Sequence, residues 1–276
     1  MRNRILAGLG VAALATVGIA APATALSSTT ADIWVVHAVP GVTVDVYIEG
    51  AIAIEDFVPG TVKPLVDVAP GSYTVDIVAA NAAAPAQGAG LITIEAAVVA
   101  NKSYSLVAHP EEGGDLTISA FENSLTPVGA GQASVTVRHT ADAPAVNIVA
   151  LPDAELFGGV TNGQEGVTAV PAGSYDLQVQ VDGSDPVAVA IDLPDTALAA
   201  GTHYFIHAFG PDGGPYSAII FTIGDTPAGV PAGSAGLVAE NGSSTTGLIA
   251  GGAALLALLA VAGVVIARRQ AATAGR

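Results

Sequence analysis

The chain has 276 residues, with 24 Asp plus Glu against 8 Lys plus Arg and no cysteine. The lack of cysteine excludes a disulfide framework, a thiol nucleophile and Cys-ligated zinc or iron–sulfur sites. A pI near 4.3 excludes an ordinary nucleic-acid-binding surface, which needs clustered Lys and Arg to neutralise phosphates. The charge is partitioned along the chain. All the acidic residues lie between Asp32 and Glu240, while Arg2, Arg4, Arg268, Arg269 and Arg276 stand at the ends. Only Lys63, Lys102 and Arg138 share the acidic middle, whose net charge is −21.

The N-terminus supplies one reason for this partition. Met1-Arg2-Asn3-Arg4, an apolar run from Ile5 to about Ala21, and Pro22-Ala23-Thr24-Ala25 form a positive region, an apolar region and a small-x-small cleavage site. These are the parts of a secretory signal peptide, expected over 1–25 with cleavage after Ala25.

The middle repeats itself. Val36-His37-Ala38 aligns with Arg138-His139-Thr140, Val44-Asp45-Val46 with Val146-Asn147-Ile148, and Gly71-Ser72-Tyr73 with Gly173-Ser174-Tyr175, all at an offset of 102. Later the offset becomes 100, pairing Tyr104 with Tyr204, Gly113-Gly114 with Gly213-Gly214, Phe121 with Phe221 and Thr126-Pro127 with Thr226-Pro227. So small a drift predicts tandem homologous domains at 31–128 and 132–228, joined by a Gly129-Ala130-Gly131 hinge.

Within each copy the hydrophobic period is two. Val44, Val46 and Ile48 alternate with Thr43, Asp45, Tyr47 and Glu49; Tyr175, Leu177, Val179 and Val181 alternate with Asp176, Gln178, Gln180 and Asp182. Further strands are expected at Ile33–Val39, Ile52–Phe57, Pro64–Val68, Ser72–Ala79, Leu91–Glu95, Ser103–Ala108 and Leu116–Phe121, with turns at Pro70-Gly71, Gly113-Gly114 and Asp182-Gly183. The expected fold is all-β: two tandem immunoglobulin-like antiparallel β-sandwiches. The Tyr residues after Gly71-Ser72 and Gly173-Ser174 start strands and read as structural.

Beyond the second copy the composition turns to Gly, Pro, Ser, Ala and Thr, which predicts a flexible stalk over 229–246. Residues 247–267 carry no charge and no proline. A helix there is about 31 Å long, the thickness of a hydrocarbon core. Arg268-Arg269 follow at once and mark the cytoplasmic side, leaving a short tail over 268–276. The expected topology is a single-pass type I surface protein with its repeats outside. Gly247 and Gly251 form a helix-dimerisation spacing, one that so Gly- and Ala-rich a segment also produces by composition.

The run Trp34-Val35-Val36-His37-Ala38-Val39-Pro40-Gly41-Val42-Thr43-Val44-Asp45-Val46-Tyr47 resembles the opening of the bacterial domain of unknown function 4397. In that family a Val-His-Ala-Ser-Pro-Asp-Ala-Pro-like string leads into Val-Asp-Val-Tyr. The second copy keeps Asp142-Ala143-Pro144 but has Asn147 where Asp is usual; the first lacks the Asp-Ala-Pro. The resemblance implies exported β-sandwich modules, often in tandem, and carries no catalytic assignment. Abundant Ala, Gly and Val fit a high-GC actinobacterial source.

Candidate chemistry is thin. His37 and His139 occupy matched positions on first strands and read as hydrogen-bonded structural residues, with His109 beside them as a candidate for a hydrolytic site. His203 and His207 have a helical metal spacing but lie on a predicted strand, about 13 Å apart, too far to share one ion. Glu111-Glu112-Gly113-Gly114-Asp115 and Asp182-Gly183-Ser184-Asp185 are the loops where weak Ca²⁺ binding is conceivable, without the regular acidic spacing of a calcium loop. Leu193-Pro194-Asp195-Thr196-Ala197 is similar to a sortase signal but lies inside the second repeat. No catalytic, cofactor-binding or metal residue is assigned. The expected function is non-catalytic surface presentation for adhesion, envelope interaction or spacing, with an unknown partner. The alternatives are a glycan- or small-ligand-binding module using Trp34, Tyr47 or Tyr216 as exposed platforms, and a secreted hydrolase using His and carboxylates.

Overall fold

The computed structural model describes residues 20–21 and 26–224. The expected signal peptide, apart from Ala20–Ala21, lies outside the described residues, as do the stalk, the transmembrane helix and the tail. There is no helix among the described residues; the chain is strands and turns throughout.

Two residues, Ala20–Ala21, form β1. The first repeat then contributes β2 (Ala31–His37), β3 (Val44–Ile48), β4 (Ala51–Phe57), β5 (Val62–Val68), β6 (Gly71–Ala79), β7 (Ile92–Val98), β8 (Ser103–Pro110) and β9 (Leu116–Glu122). The second contributes β10 (Gln132–His139), β11 (Val146–Ala150), β12 (Ala154–Val160), β13 (Glu165–Pro171), β14 (Gly173–Val181), β15 (Val189–Leu198), β16 (Thr202–Phe209) and β17 (Ser217–Gly224). The first set builds sheets ordered β5-β2-β8-β9 and β4-β3-β6-β7. The second builds β13-β10-β16-β17, with β1 added beyond β17, and β12-β11-β14-β15, the same order as the first set.

One expectation needs correction: the sheets are not purely antiparallel. β2 pairs with β8, and β10 with β16, in parallel. The chain reverses at every connection, so strands an even number apart run the same way. β2 and β8 are such a pair, and they end up as neighbours because the strands between them peel off to the other sheet or its edge.

Three apolar clusters set the layer order. Ile33, Val35, Val46, Ile77, Leu106 and Ile118 join the two sheets of the first sandwich. Val135, Val137, Ile148, Val179, Ile191 and Ile206 do the same in the second. The third cluster joins the sandwiches: Trp34, Val36, Val107 and Phe121 of the first meet Phe205, Ile219, Phe221 and Ile223 of the second. The molecule is therefore a four-layer stack. Its two inner sheets, β5-β2-β8-β9 and β13-β10-β16-β17, meet at the centre, where β2, β8, β10 and β16 are covered on both faces while the edge strands β5 and β13 stay largely open.

Strand directions place the ends. β2 and β10 both start at what we term the near end, and β17 returns there, with Gly224 paired to Thr202 and Gly201 N–H donating to Gln132 O at 2.8 Å. At the far end the two sandwiches touch through their loops. Asn162 Nδ2 donates to Pro110 O at 2.9 Å, and Gly113 N–H donates to Asp142 Oδ1 at 2.9 Å.

Candidate functional site

The residues of the family-like motif are committed to the scaffold, in keeping with the structural reading of His37 and His139. His37 ends β2 fully buried, and its Nε2 lies 2.8 Å from Val42 O. His139 ends β10 in the same way, with Nε2 2.9 Å from Pro144 O. A carbonyl can only accept, so each imidazole carries its proton on Nε2 and straps the following loop to the end of the sandwich. In the first copy the bare Nδ1 accepts Val39 N–H at 3.3 Å. Burial lowers both imidazole pKa values, which keeps them neutral.

The motif's Asp45 and its counterpart Asn147 also share one job. Asp45 Oδ1 accepts the N–H of Asp56 at 2.8 Å, and Asn147 Oδ1 accepts that of Gly159 at 2.7 Å. Asp56 (φ +49°) and Gly159 (φ +64°) are left-handed residues, and the register slips beside each of them. Such bulges leave an N–H outside the ladder, and the side-chain oxygen satisfies it. An amide oxygen serves as well as a carboxylate, which explains Asn147 in place of Asp. The device recurs in Asp67 (φ +55°), bonded to Asp32 Oδ1 at 3.3 Å, and in Asp195 (φ +52°), bonded to Asp176 Oδ1 at 2.8 Å. Part of the acidic excess is thus bulge chemistry.

The chemically richest region is the contact between the inner sheets. Phe221 stacks on Trp34 with centroids 4.8 Å apart, on Phe205 at 5.0 Å and on His207 at 5.8 Å. Arg138, fully buried, lies with its guanidinium carbon 4.5 Å from the Phe121 centroid and 5.2 Å from that of Phe205. Its Nε donates to Glu165 Oε2 at 2.9 Å, its Nη2 to Asn123 Oδ1 at 2.9 Å, and its Nη1 to His207 Nε2 at 3.4 Å. Asn123 Oδ1 also accepts Ser105 Oγ–H at 2.8 Å, and its Nδ2 donates to Ser103 Oγ at 3.0 Å. His109 Nδ1–H donates to Pro110 O at 2.9 Å, and its Nε2 lies 2.8 Å from Ser119 Oγ. Burial lowers the His109 pKa to about 4. That of His207 falls well below the usual value, through burial first and then the Arg138 charge. Burying a guanidinium costs several kcal/mol, whereas each buried aromatic contributes roughly 2 kcal/mol, so the ring cluster holds this contact and Arg138 fixes its register.

Sequence reasoning missed Arg138, Asn123 and Phe221 as a unit. The available signal was a lone Arg directly after the apolar and small-polar run Ala133–Val137.

The other candidates fall as follows. Trp34 and Tyr47, expected as exposed platforms, are each only 8% exposed. Trp34 is at the contact between sandwiches. Tyr47 pairs with Asp76 on the outward face of its sheet, and the 80–91 loop is tied to that face by Gly88 and Gly90 N–H bonds, both 2.9 Å, to Asp76. Tyr216 is half-buried and donates to Asp142 O at 3.3 Å. A hydrolytic site needs His37 and His109 open to substrate, and both are buried. His203 and His207 lie on one strand, β16. The loop around Glu111–Asp115 closes through Glu111 N–H to Asp115 O and Gly114 N–H to Glu111 O, at 2.6 and 3.0 Å. Asp182 Oδ1 accepts from Asn147 Nδ2 at 3.0 Å. Among the described residues no three His, Asp or Glu side chains gather as a metal-binding group. Leu193–Ala197 is part of β15, paired with β14. A shallow notch at the near end is lined by Asn101, Lys102, Ser103, Glu122 and Ser124, with Lys102 and Glu122 paired across it.

Residues 31–149 match the family model described as a domain of unknown function (DUF4397), which supports the resemblance carried by the motif. No curated protein matches the chain. Among solved structures, a protein from Bacteroides eggerthii DSM 20697, provisionally described as a cell adhesion protein, is 9% identical with a TM-score of 0.23, covering 73% of this chain and 98% of its own. A second, from Parabacteroides distasonis ATCC 8503 and described in the same provisional way, is 8% identical with a TM-score of 0.20, covering 74% of this chain and 99% of its own.

Proposed function

We propose that the chain is a non-catalytic cell-surface protein that presents two tandem copies of the family domain for adhesion, envelope interaction or spacing. One observation carries the non-catalytic part. The side chains with the greatest chemical capacity, His37, His109, His139, Arg138 and Asp45, are buried and bonded within the scaffold. The address rests on the sequence. A signal peptide over 1–25 exports the acidic repeats, residues 247–267 span the membrane, and the basic tail stays in the cytoplasm. Residues 229–246 hold the sandwiches off the bilayer, and Gly247 with Gly251 offers a seam for pairing two spans.

The far-end loops, opposite the near-end exit at Gly224, are the surface this arrangement displays. An acidic exterior repels anionic wall polymers unless divalent cations bridge them. The partner therefore engages through the far end or through cation-bridged contacts.

Protease treatment of intact cells, followed by mass spectrometry, tests the address. Peptides from 31–224 are released while the basic tail is retained. Protection of 31–224 overturns the topology. Proximity labelling from the ectodomain on living cells then identifies the partner class.

A further inference from the structure

We propose that the contact between the two sandwiches is an acid-sensitive latch with His207 as its sensor: protonation of this imidazole separates the inner sheets while each sandwich keeps its own fold. The argument is geometric. Arg138 has only protons to donate, and its Nη1 lies 3.4 Å from His207 Nε2. His207 can occupy this place only as an acceptor, with Nε2 bare. A proton there turns a hydrogen bond into two opposed N–H groups and places a second cation beside the guanidinium.

One neighbour, the Ile219 backbone of β17, favours a charged ring; the others give it no relief. From β10 it faces Arg138, and from β8 of the first sandwich it feels His109. The nearby carboxylate is Glu165 of β13, already engaged by Arg138 Nε. β17 presents Ile219 and Phe221, and Asn123 is bound to Arg138, Ser103 and Ser105. Beyond His109 stand His139 and Glu112, the latter acting on His139. His109 differs from His207 in kind. If protonated, its Nε2–H could still donate to Ser119 Oγ, so its bonding survives where that of His207 does not.

The latch can open without dismantling either sandwich, because the apolar clusters inside the sandwiches share no residue with the one between them. The chain also carries its own reporter. Its single tryptophan, Trp34, stacks on Phe221 across the contact.

The test is a titration of the purified full chain from about pH 8 to about pH 4, read by Trp34 emission and far-UV circular dichroism together. The expected result is a red shift of Trp34, centred below the ordinary imidazole range, while the β signal is retained. His207→Gln keeps an acceptor for Arg138 but cannot take up a proton, and it moves the midpoint lower by about one pH unit or more. Three results overturn the proposal: Trp34 emission unchanged down to about pH 4, emission and β signal lost together, or the same midpoint in His207→Gln. Should that variant fail to fold, coincidence or separation of the two wild-type transitions decides.

Discussion

The inner and outer sheets are built from the same eight-strand pattern, yet different physics holds them. All eight residues of β8 are buried, as are seven of eight in β10, whereas in β4 only Ile54 and Phe57 are. A central strand of an inner sheet, such as β8, is covered from both sides and needs no alternation, so it reads Ser-Tyr-Ser-Leu-Val-Ala-His-Pro; an outer edge strand such as β4 keeps an exposed face. The polar content differs too. All five histidines lie on inner-sheet strands, while the bulges of the outer sheets are clamped by Asp45, Asn147 and Asp176. Two-sided burial gives cooperativity and acid sensitivity; one-sided burial leaves each outer sheet dependent on local clamps.

The sharpest break comes at Phe221, which touches Trp34, Phe205 and His207. Phe221→Ala is expected to cost about 4 kcal/mol in urea unfolding, while Val189→Ala on the exposed edge of an outer sheet stays within about 0.5 kcal/mol. Equal effects would erase the distinction between two-sided and one-sided burial.

Acid comes next. The His109 pKa is about 4 when folded against 6.5 ordinarily, so the unfolded chain binds a proton that the folded chain refuses. Stability is therefore full above about pH 6.5 and declines as pH falls, by about 3 kcal/mol from this residue near pH 4. Urea midpoints measured across this window give the slope, and His109→Gln flattens it. A wild-type curve flat down to pH 4 would contradict a neutral, buried imidazole.

The smallest effect concerns the outer clamps. Asp45→Ala leaves the Asp56 N–H without its acceptor and costs about 1–2 kcal/mol, whereas Asp45→Asn is nearly neutral, as Asn147 already is in the second copy. Hydrogen exchange at the Asp56 amide reads this locally. A large loss in Asp45→Asn would mean that charge matters there beyond hydrogen bonding.

Much of this architecture was legible in the residues. Period-two alternation placed β3 and β14, β4 and β6 fell among the further strands expected, and the repeat offset matched Phe121 with Phe221. The structural reading of the Tyr residues held: Tyr73 and Tyr175 each donate from the hydroxyl to a carbonyl four residues back, at 3.3 and 2.7 Å, although Gly71 and Gly173 open strands instead of making left-handed turns. The pairing of the sandwiches was not legible, because the runs Ile33–Val39 and Tyr204–Phe209 announce burial on both faces without saying against what. Tyr47 misled for a related reason. Alternation assigns a side chain to a face, but a loop folded across that face decides whether water reaches it. The histidines illustrate the same limit, since spacing could reject a shared metal for His203 and His207 but could not show that Arg138 stands beside one of them.

The near-end return of β17 has a mechanical consequence. A pull applied at the far-end loops and resisted at Gly224 runs along β17, perpendicular to the cross-strand bonds of its eight register pairs with β16. Such a load shears the ladder as a whole instead of unzipping it one bond at a time. The aromatic cluster through Phe221 adds a second grip on the same strand. The last described strand thus draws its resistance to force from its direction, a property no single residue carries.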